Sequence, residues 1–598
     1  MLTNASTKRR LGALAAACLL GLALPTSPAL AQKTKTKPAP VTEASPSAPA
    51  TVSVDIPTID AVDANIDDAT LRAIFSGDLV DNAEALAGLT ATSITIPQIT
   101  LNSAITVDGE TVESAVIFED IVFDSIVEGV AQTITMSGID LTTSEANGEF
   151  GAISASQFDI AALLRLYGMI DDAGQTEMTT VYTDFSFDGG SFATPEFACT
   201  LGAASAAEFR ARPINASFAQ IMGLSDALEA QGDAPSPELL GQALRIYVDI
   251  LTAFESSPVE FEGFDCAGTD DDDTAFAFSV AGMTMGGMSP GIYPSVDITG
   301  VDLQIGEDGA ISIGALSFKP IDLSAPIAAI QAAPDAIEES WFAENARALI
   351  PGFAGFSVGD LAIDIPDTDT PDARLVATIE GFDLTLADYF NGIPTTLNAS
   401  ASHFVLDIPA DTSDEQLQTL LGLGLVSIDA GFVVDAEWDR TASTIAVNEV
   451  SVSGADLATI TVAGTVNNAT EALFGSSESV MTAAAMGLAL GDLRLQISDT
   501  GLTEIILAIA AAEQGADPAT MRPVFAGLAE GAVIGLLAGA AEAQDVAKAV
   551  SAFIGGAAST LTLDLTANQL PGIGLFDVMA AQENPAALLS KVTIEASN

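Results

Sequence analysis

The run Gly300-Val301-Asp302-Leu303-Gln304-Ile305-Gly306-Glu307-Asp308-Gly309-Ala310-Ile311-Ser312-Ile313-Gly314-Ala315-Leu316-Ser317-Phe318 carries the clearest conformational signal in the chain. Val301, Leu303 and Ile305 alternate with polar residues. Successive side chains of a strand point to opposite faces, so that period of two places one face on a core. Gly306-Glu307-Asp308-Gly309 supplies the turn, and Ile311, Ile313, Leu316 and Phe318 follow on the return. The stretch reads as a β-hairpin, bulged after Ile313.

The same construction occurs upstream, where Gly138-Ile139-Asp140-Leu141 leads through Asn147-Gly148 to Ile153, Phe158, Asp159 and Ile160. Order and turn chemistry match those of the later stretch, which runs on to Asp322 and Leu323, so the two look like copies of one unit. A shorter pattern (apolar, polar, apolar, polar, Gly, apolar, Asp, apolar) recurs at 134–141, 259–266, 296–303, 377–384 and 450–457. Its fixed pairs are Gly138 and Asp140, Gly263 and Asp265, Gly300 and Asp302, Gly381 and Asp383, and Gly454 and Asp456. Glycine there permits a bulge or a close backbone approach, and the aspartate can accept backbone hydrogen bonds at a strand bend. The intervals are unequal, so no regular solenoid or propeller period emerges.

Helices fill several gaps between strands. Ser236-Pro237-Glu238 is a helix start, with Leu240, Leu244, Tyr247, Leu251 and Phe254 near one face, and a second start lies at Ser413 with Gln416 in capping-box position. Apolar helices are expected over 502–512 and 521–553, before a strand at 561–565. The apolar stretch 531–541, closed by Glu530 and Glu542, is too short for a membrane span and reads as a core helix. The expected class is α+β: twisted antiparallel sheets with packed and inserted helices, arising by internal duplication.

The first residues carry Lys8, Arg9 and Arg10, an apolar stretch over 11–24, and Ala29-Leu30-Ala31. That is the layout of a cleavable secretory signal over 1–31, and it implies an exported chain of the periplasm or cell envelope. Residues 32–52, rich in Pro, Ala and Lys, form a flexible tether with too little apolar surface to offset ordering. The expected domains are then an N-terminal β-rich lobe with a helical insertion over 53–330 and a C-terminal β-rich lobe with an apolar helical block over 331–598. No transmembrane helix is expected after cleavage of the signal.

Six of the nineteen basic residues precede Pro38, so thirteen face eighty-one acidic ones beyond it, a net of −68. Such a chain offers no basic surface for phosphates, which excludes nucleic acid as a partner. Only Cys199 and Cys266 remain beyond the signal, an even count in an exported chain, and they are expected to form one disulfide. Calcium is the one metal with candidates: the run Asp270, Asp271, Asp272 and Asp273, and the spaced set Asp367, Asp369 and Asp372. Hard oxygen ligands suit that ion, but neither segment has the EF-hand loop pattern, and solvated acidic loops account for both.

Asp499-Thr500-Gly501-Leu502 and Ala512-Glu513-Gln514-Gly515, the strand at 561–565, Pro571 and Asn584-Pro585-Ala586-Ala587-Leu588-Leu589 resemble the C-terminal part of uncharacterised exported bacterial proteins of alphaproteobacterial type. The resemblance covers about the last hundred residues. It implies a β-rich envelope protein and carries over no functional residue.

Gly355-Phe356-Ser357-Val358-Gly359 matches the nucleophile elbow of α/β-hydrolases, and His403 is the sole histidine. An elbow needs a helix directly after the serine, whereas Val358, Leu361, Ile363 and Ile365 continue a strand, so a serine hydrolase is not the expected function. No catalytic or cofactor-binding residue is assigned. The expected role is non-catalytic: binding of lipid, another apolar envelope ligand or an envelope protein along a groove between sheet and helices. A calcium-stabilised surface or adhesion protein is the alternative.

Overall fold

The computed structural model describes residues 51–598 apart from 108–109, 171–173, 233, 271–273, 307–308, 367–373, 411, 413–414, 516, 538–539 and 584. The signal and most of the tether lie outside the described residues, and residues 50–598 form one compact unit.

The hairpin read from the sequence is present. Val296–Ile305 pairs antiparallel with Gly309–Phe318, placing Ile298 opposite Leu316, Val301 opposite Ile313 and Leu303 opposite Ile311. Apolar residues fall at 296 and 298, then at 301, 303 and 305, so the alternation changes phase at Gly300. Gly300 is left-handed (φ +60°), and a Cβ there would come within 2.7 Å of the Ala281 Cβ. A left-handed residue rolls and bends a strand, which keeps the apolar side chains on one face across the break.

This break is a seam shared by many strands. Asp120 (φ 47°), Gly263 (81°), Gly300 (60°), Asp360 (50°) and His403 (47°) are all left-handed. Where long strands cross the line, the residues between those positions are the ones the ladder skips: Pro97 beside Asp120, Ala281 and Gly314 beside Gly300, and Glu380 between Asp360 and His403. Between Asp120 and Gly263 the seam cuts the strands in two, giving pairs such as Val130–Met136 with Gly138–Thr143 and Phe197–Leu201 with Ala204–Ala211. Backbone bonds close the gap, with Gly151 N–H donating to Gly189 O and Gly202 N–H to Gly263 O, both at 2.7 Å. The seam ends at a bulge that contains His403, between Ala401 and Phe404.

The expectation of an α+β fold built from duplicated lobes is corrected: among the described residues strands make up 47% and helices 27%, and one antiparallel sheet holds 28 strands. The helices form no layer of their own. They are excursions between strands, gathered mainly in three local groups. The two supposed copies also fold differently. Gly138–Thr143 and Asn147–Phe150 form a short hairpin, after which Ile153–Asp159 crosses the seam to pair elsewhere, whereas Val296–Ile305 and Gly309–Phe318 cross it whole. From Ala275–Met285 onward the sheet is a meander of long strands that passes through Gly309–Phe318 and Gly355–Pro366 without a break.

Dense cores sit at the two ends. Asp68–Phe75, Ala83–Ala87 and Ile160–Leu166 pack on the first long strands, burying Leu71, Ile94, Ile96 and Ile126. At the far end Val546 and Leu537 pack with Leu563 and Ile594. A side group joins Pro237–Leu251, capped by Ser236 as its sequence suggests, to Ser324–Gln331. The stretch 531–541 is the end of the helix Pro518–Leu536 and the residues after it: Val533, Leu537 and Ala540 pack in that far-end core, while Ile534 and Leu536 are exposed. No helix among the described residues is long and apolar enough to cross a membrane.

Candidate functional site: an open apolar sheet face

Because the seam restores the phase of each strand, apolar residues line up across the sheet. One row, read partner by partner, is Leu303, Ile311, Ile363, Ala377, Leu406 and Ile428. Another is Leu316, Val358, Phe382, Ala401, Phe432 and Val452, continuing to Ile460, Ile497 and Leu561. Across a meander of about twelve strands at ~4.8 Å each, the face runs roughly 50 Å.

This face is not a core. Among the described residues, no Val, Ile, Leu or Phe on a strand between Val296–Ile305 and Ala489–Asp499 is fully buried. Val452 is 60% exposed, Phe318 43% and Ile460 41%. Facing aromatics contact one another rather than a covering layer: Phe382 stacks on Phe356 at 5.2 Å and meets Phe432 at 6.4 Å. Most of the row residues are half-buried, with Val452 and Ile460 exposed among them, and uncovered apolar surface is more extensive at interaction sites than elsewhere on proteins.

The opposite face is polar. Lys319 Nζ donates to Asp383 at 2.6 Å and also to Thr385, and Arg494 meets Asp564 at 2.6 Å. Desolvation pushes the Asp383 carboxyl up, but the bonds from Lys319 and Thr385 outweigh it and hold the group below the usual carboxylate range. His403, on the seam, contacts Asp429 at 3.0 Å and Glu380 at 3.5 Å. The hydrogen bond to Asp429, then the charges of Asp429 and Glu380, raise its pKa above the ordinary 6.5.

Residues 451–598 match a protein family described as "Uncharacterized protein". No curated protein and no solved structure matches the chain.

Ser357 lies inside the strand Gly355–Pro366, opposite Ser317 and Asp383, with no helix after it. His403 is engaged by its two carboxylates. Asp270 accepts the Thr274 N–H at 2.8 Å. Asp271, Asp272, Asp273, Asp367, Asp369 and Asp372 lie outside the described residues, and among the described ones no three His, Cys, Asp or Glu side chains converge as metal ligands. Cys199 and Cys266 sit opposite each other on Phe197–Leu201 and Phe264–Thr269, their sulfurs 1.99 Å apart. They join the first apolar row, which runs from Phe192 through the cysteines to Phe278 and Leu303.

The repeated pattern now has a structural meaning. At Gly138, Gly263, Gly300 and Gly381 it marks the crossing of the seam, while Gly454 ends a strand ahead of the left-handed Asp456. The motif aspartates do not cap the bend. Asp302 faces Ser279 and Ser312 across the ladder, and Asp383 holds Lys319.

Sequence reasoning missed a cavity of about 830 Å³ beside the meander. It lies between Ser324–Gln331, Glu339–Glu344 and the turn after Arg374–Ala387, and Leu386 lines it. Leu386 also stands opposite Leu397 at the margin of the apolar face.

Proposed function

We propose that this is a non-catalytic protein of the cell envelope that holds lipid acyl chains on the open face of its sheet. The observation that carries the proposal is the set of apolar rows crossing the strands from Val296–Ile305 to Ala489–Asp499, where no Val, Ile, Leu or Phe among the described residues is fully buried. Aliphatic and phenyl groups on that face suit hydrocarbon chains, which need no polar partner, at about 0.8 kcal/mol for each methylene removed from water. A second copy of the chain is a poor occupant, since a formal charge of −62 on each copy opposes face-to-face pairing. The signal-like start and the cysteine pair support an exported address.

The test is uptake of diacylglycerol from neutral vesicles by the purified chain, re-isolated and extracted for mass spectrometry. Uptake that drops when Phe404, Val450, Val452 and Ile460, all exposed on the apolar face, are together replaced by Ser supports the proposal. Wild-type protein that takes up none, or a variant that takes up as much, refutes it.

A further inference from the structure

Thirteen basic side chains lie beyond the tether, in a chain with eighty-one acidic ones. Among the described residues nearly all are engaged: Arg212 with Asp249, Arg374 with Asp364, Arg440 with Glu471 and Lys591 with Asp577 are examples. The Arg347 side chain has no hydrogen bond or ion pair among the described residues, although it lines the cavity beside the meander and is partly buried there. Three carboxylates, Asp322, Glu344 and Asp388, line the same cavity. Asp322 accepts the Ser324 N–H at 2.8 Å and Asp388 the Thr396 hydroxyl at 2.8 Å, so both are held in place, yet neither they nor Glu344 pair with the guanidinium.

A cavity with one unpaired cation and three anions that do not meet it is matched by neither a simple anion nor a simple cation. An anion satisfies Arg347 but is repelled by the carboxylates, and a cation does the reverse. We propose that the cavity binds a zwitterionic head group, its phosphate on Arg347 and its ammonium among Asp322, Glu344 and Asp388. The guanidinium fork suits phosphate oxygens, and a volume of about 830 Å³ accommodates a head group with its glycerol. Leu386 gives the acyl chains a continuous path from the cavity onto the open face. This proposal rests on the lipid-holding reading above and names the lipid class: zwitterionic phospholipid.

The experiment presents the full mature chain with vesicles of phosphatidylcholine, phosphatidylglycerol or diacylglycerol in phosphatidylcholine, then quantifies extracted lipid by mass spectrometry. The expected result is about a tenfold preference for phosphatidylcholine over phosphatidylglycerol, the scale of a single charge-assisted hydrogen bond. Arg347→Gln collapses that ratio toward one, and Glu344→Gln with Asp388→Asn shifts it toward phosphatidylglycerol. Lys548→Gln, on an exposed helix face, keeps the ratio and controls for general charge. Equal uptake of both phospholipids by the wild type, or an unchanged ratio in a folded Arg347→Gln chain, overturns the head-group site while leaving the open face standing. If the wild type takes up no lipid at all, the open-face reading has failed, and calorimetry with free phosphocholine judges the cavity alone. Binding lost in Arg347→Gln then supports a site for a free zwitterion, and no binding overturns the site.

Discussion

Val452→Thr and Val181→Thr make the same chemical change, a methyl replaced by a hydroxyl on a β-branched side chain within a strand, in opposite surroundings. Val181, in Thr179–Phe187, is 0% exposed and packs in a small core with Ala162 and Ala211. Val452, in Thr444–Gly454, is 60% exposed on the apolar face. A hydroxyl forced into an apolar core without a partner costs about 1–3 kcal/mol, whereas one that keeps its water costs under about 0.5 kcal/mol. With a urea slope of about 3 kcal/mol per molar, the first change lowers the unfolding midpoint by roughly 0.3–1 M and the second by less than about 0.2 M. Circular dichroism during urea titration of both variants reads the difference directly. If Val452→Thr costs as much as Val181→Thr, something in the folded chain covers the face, and the lipid-holding proposal loses its foundation.

Replacing Cys199 and Cys266 together by Ser reopens a loop of 67 residues, and the chain-entropy argument sets the loss at up to about 4 kcal/mol, measured by denaturant unfolding; no loss would mean the pair does not constrain the unfolded chain. His403, the sole histidine, should titrate above 6.5 by proton NMR and move down in Asp429→Asn. Since its folded pKa is raised, its contribution to stability is complete below about 6.5 and is lost as pH rises through the folded value, so a wild-type midpoint at or below 6.5 contradicts its pairing with Asp429 and Glu380. Gly263→Ala places a Cβ 1.8 Å from the Val280 carbonyl oxygen at φ +81° and should lower the melting temperature sharply, whereas Gly223→Ala, in the helix Phe218–Gln231 with open space around it, should stabilise the chain by about 0.5–1 kcal/mol.

Much of the fold is written in local pattern. The hairpin at 296–318, the start of Pro237–Leu251 at Ser236, the helix at Leu502–Gln514 and the strand at Thr560–Ala567 all follow from period and capping, which are local properties of the chain. The seam is visible in the sequence only as a recurring motif. Its meaning depends on which strands neighbour one another, and nothing in 134–141 or 377–384 states that Ser137 and Glu380 lie on the same line across a sheet. The class is misread because apolar helices such as Pro518–Leu536 look like core elements when taken alone. Their exposed Leu528 and Leu536 show that tertiary placement, not apolar content, decides burial. The cavity is illegible for the same reason: Asp322 at a strand end, Glu344 and Arg347 around the end of a short helix, and Asp388 in a turn are brought together only by the tertiary fold.

The open face and the acidity of the chain explain each other. A sheet that leaves rows of Val, Ile and Phe uncovered is a template for self-association, and a protein that keeps such a face needs a force that acts before two copies touch. Carboxylates on the polar side and in the loops supply it, because the repulsion of two highly charged bodies extends over a Debye length of about 8 Å at physiological ionic strength, beyond the reach of hydrophobic contact. A neutral or zwitterionic amphiphile carries no net charge and is not repelled in this way. In the proposed reading it reaches the apolar rows that a second copy does not, and its head group is the one that Arg347 and the surrounding carboxylates would complement. On the lipid-holding proposal, charge selects among apolar partners without a polar group on the face itself, which accounts for rows made of aliphatic and phenyl side chains.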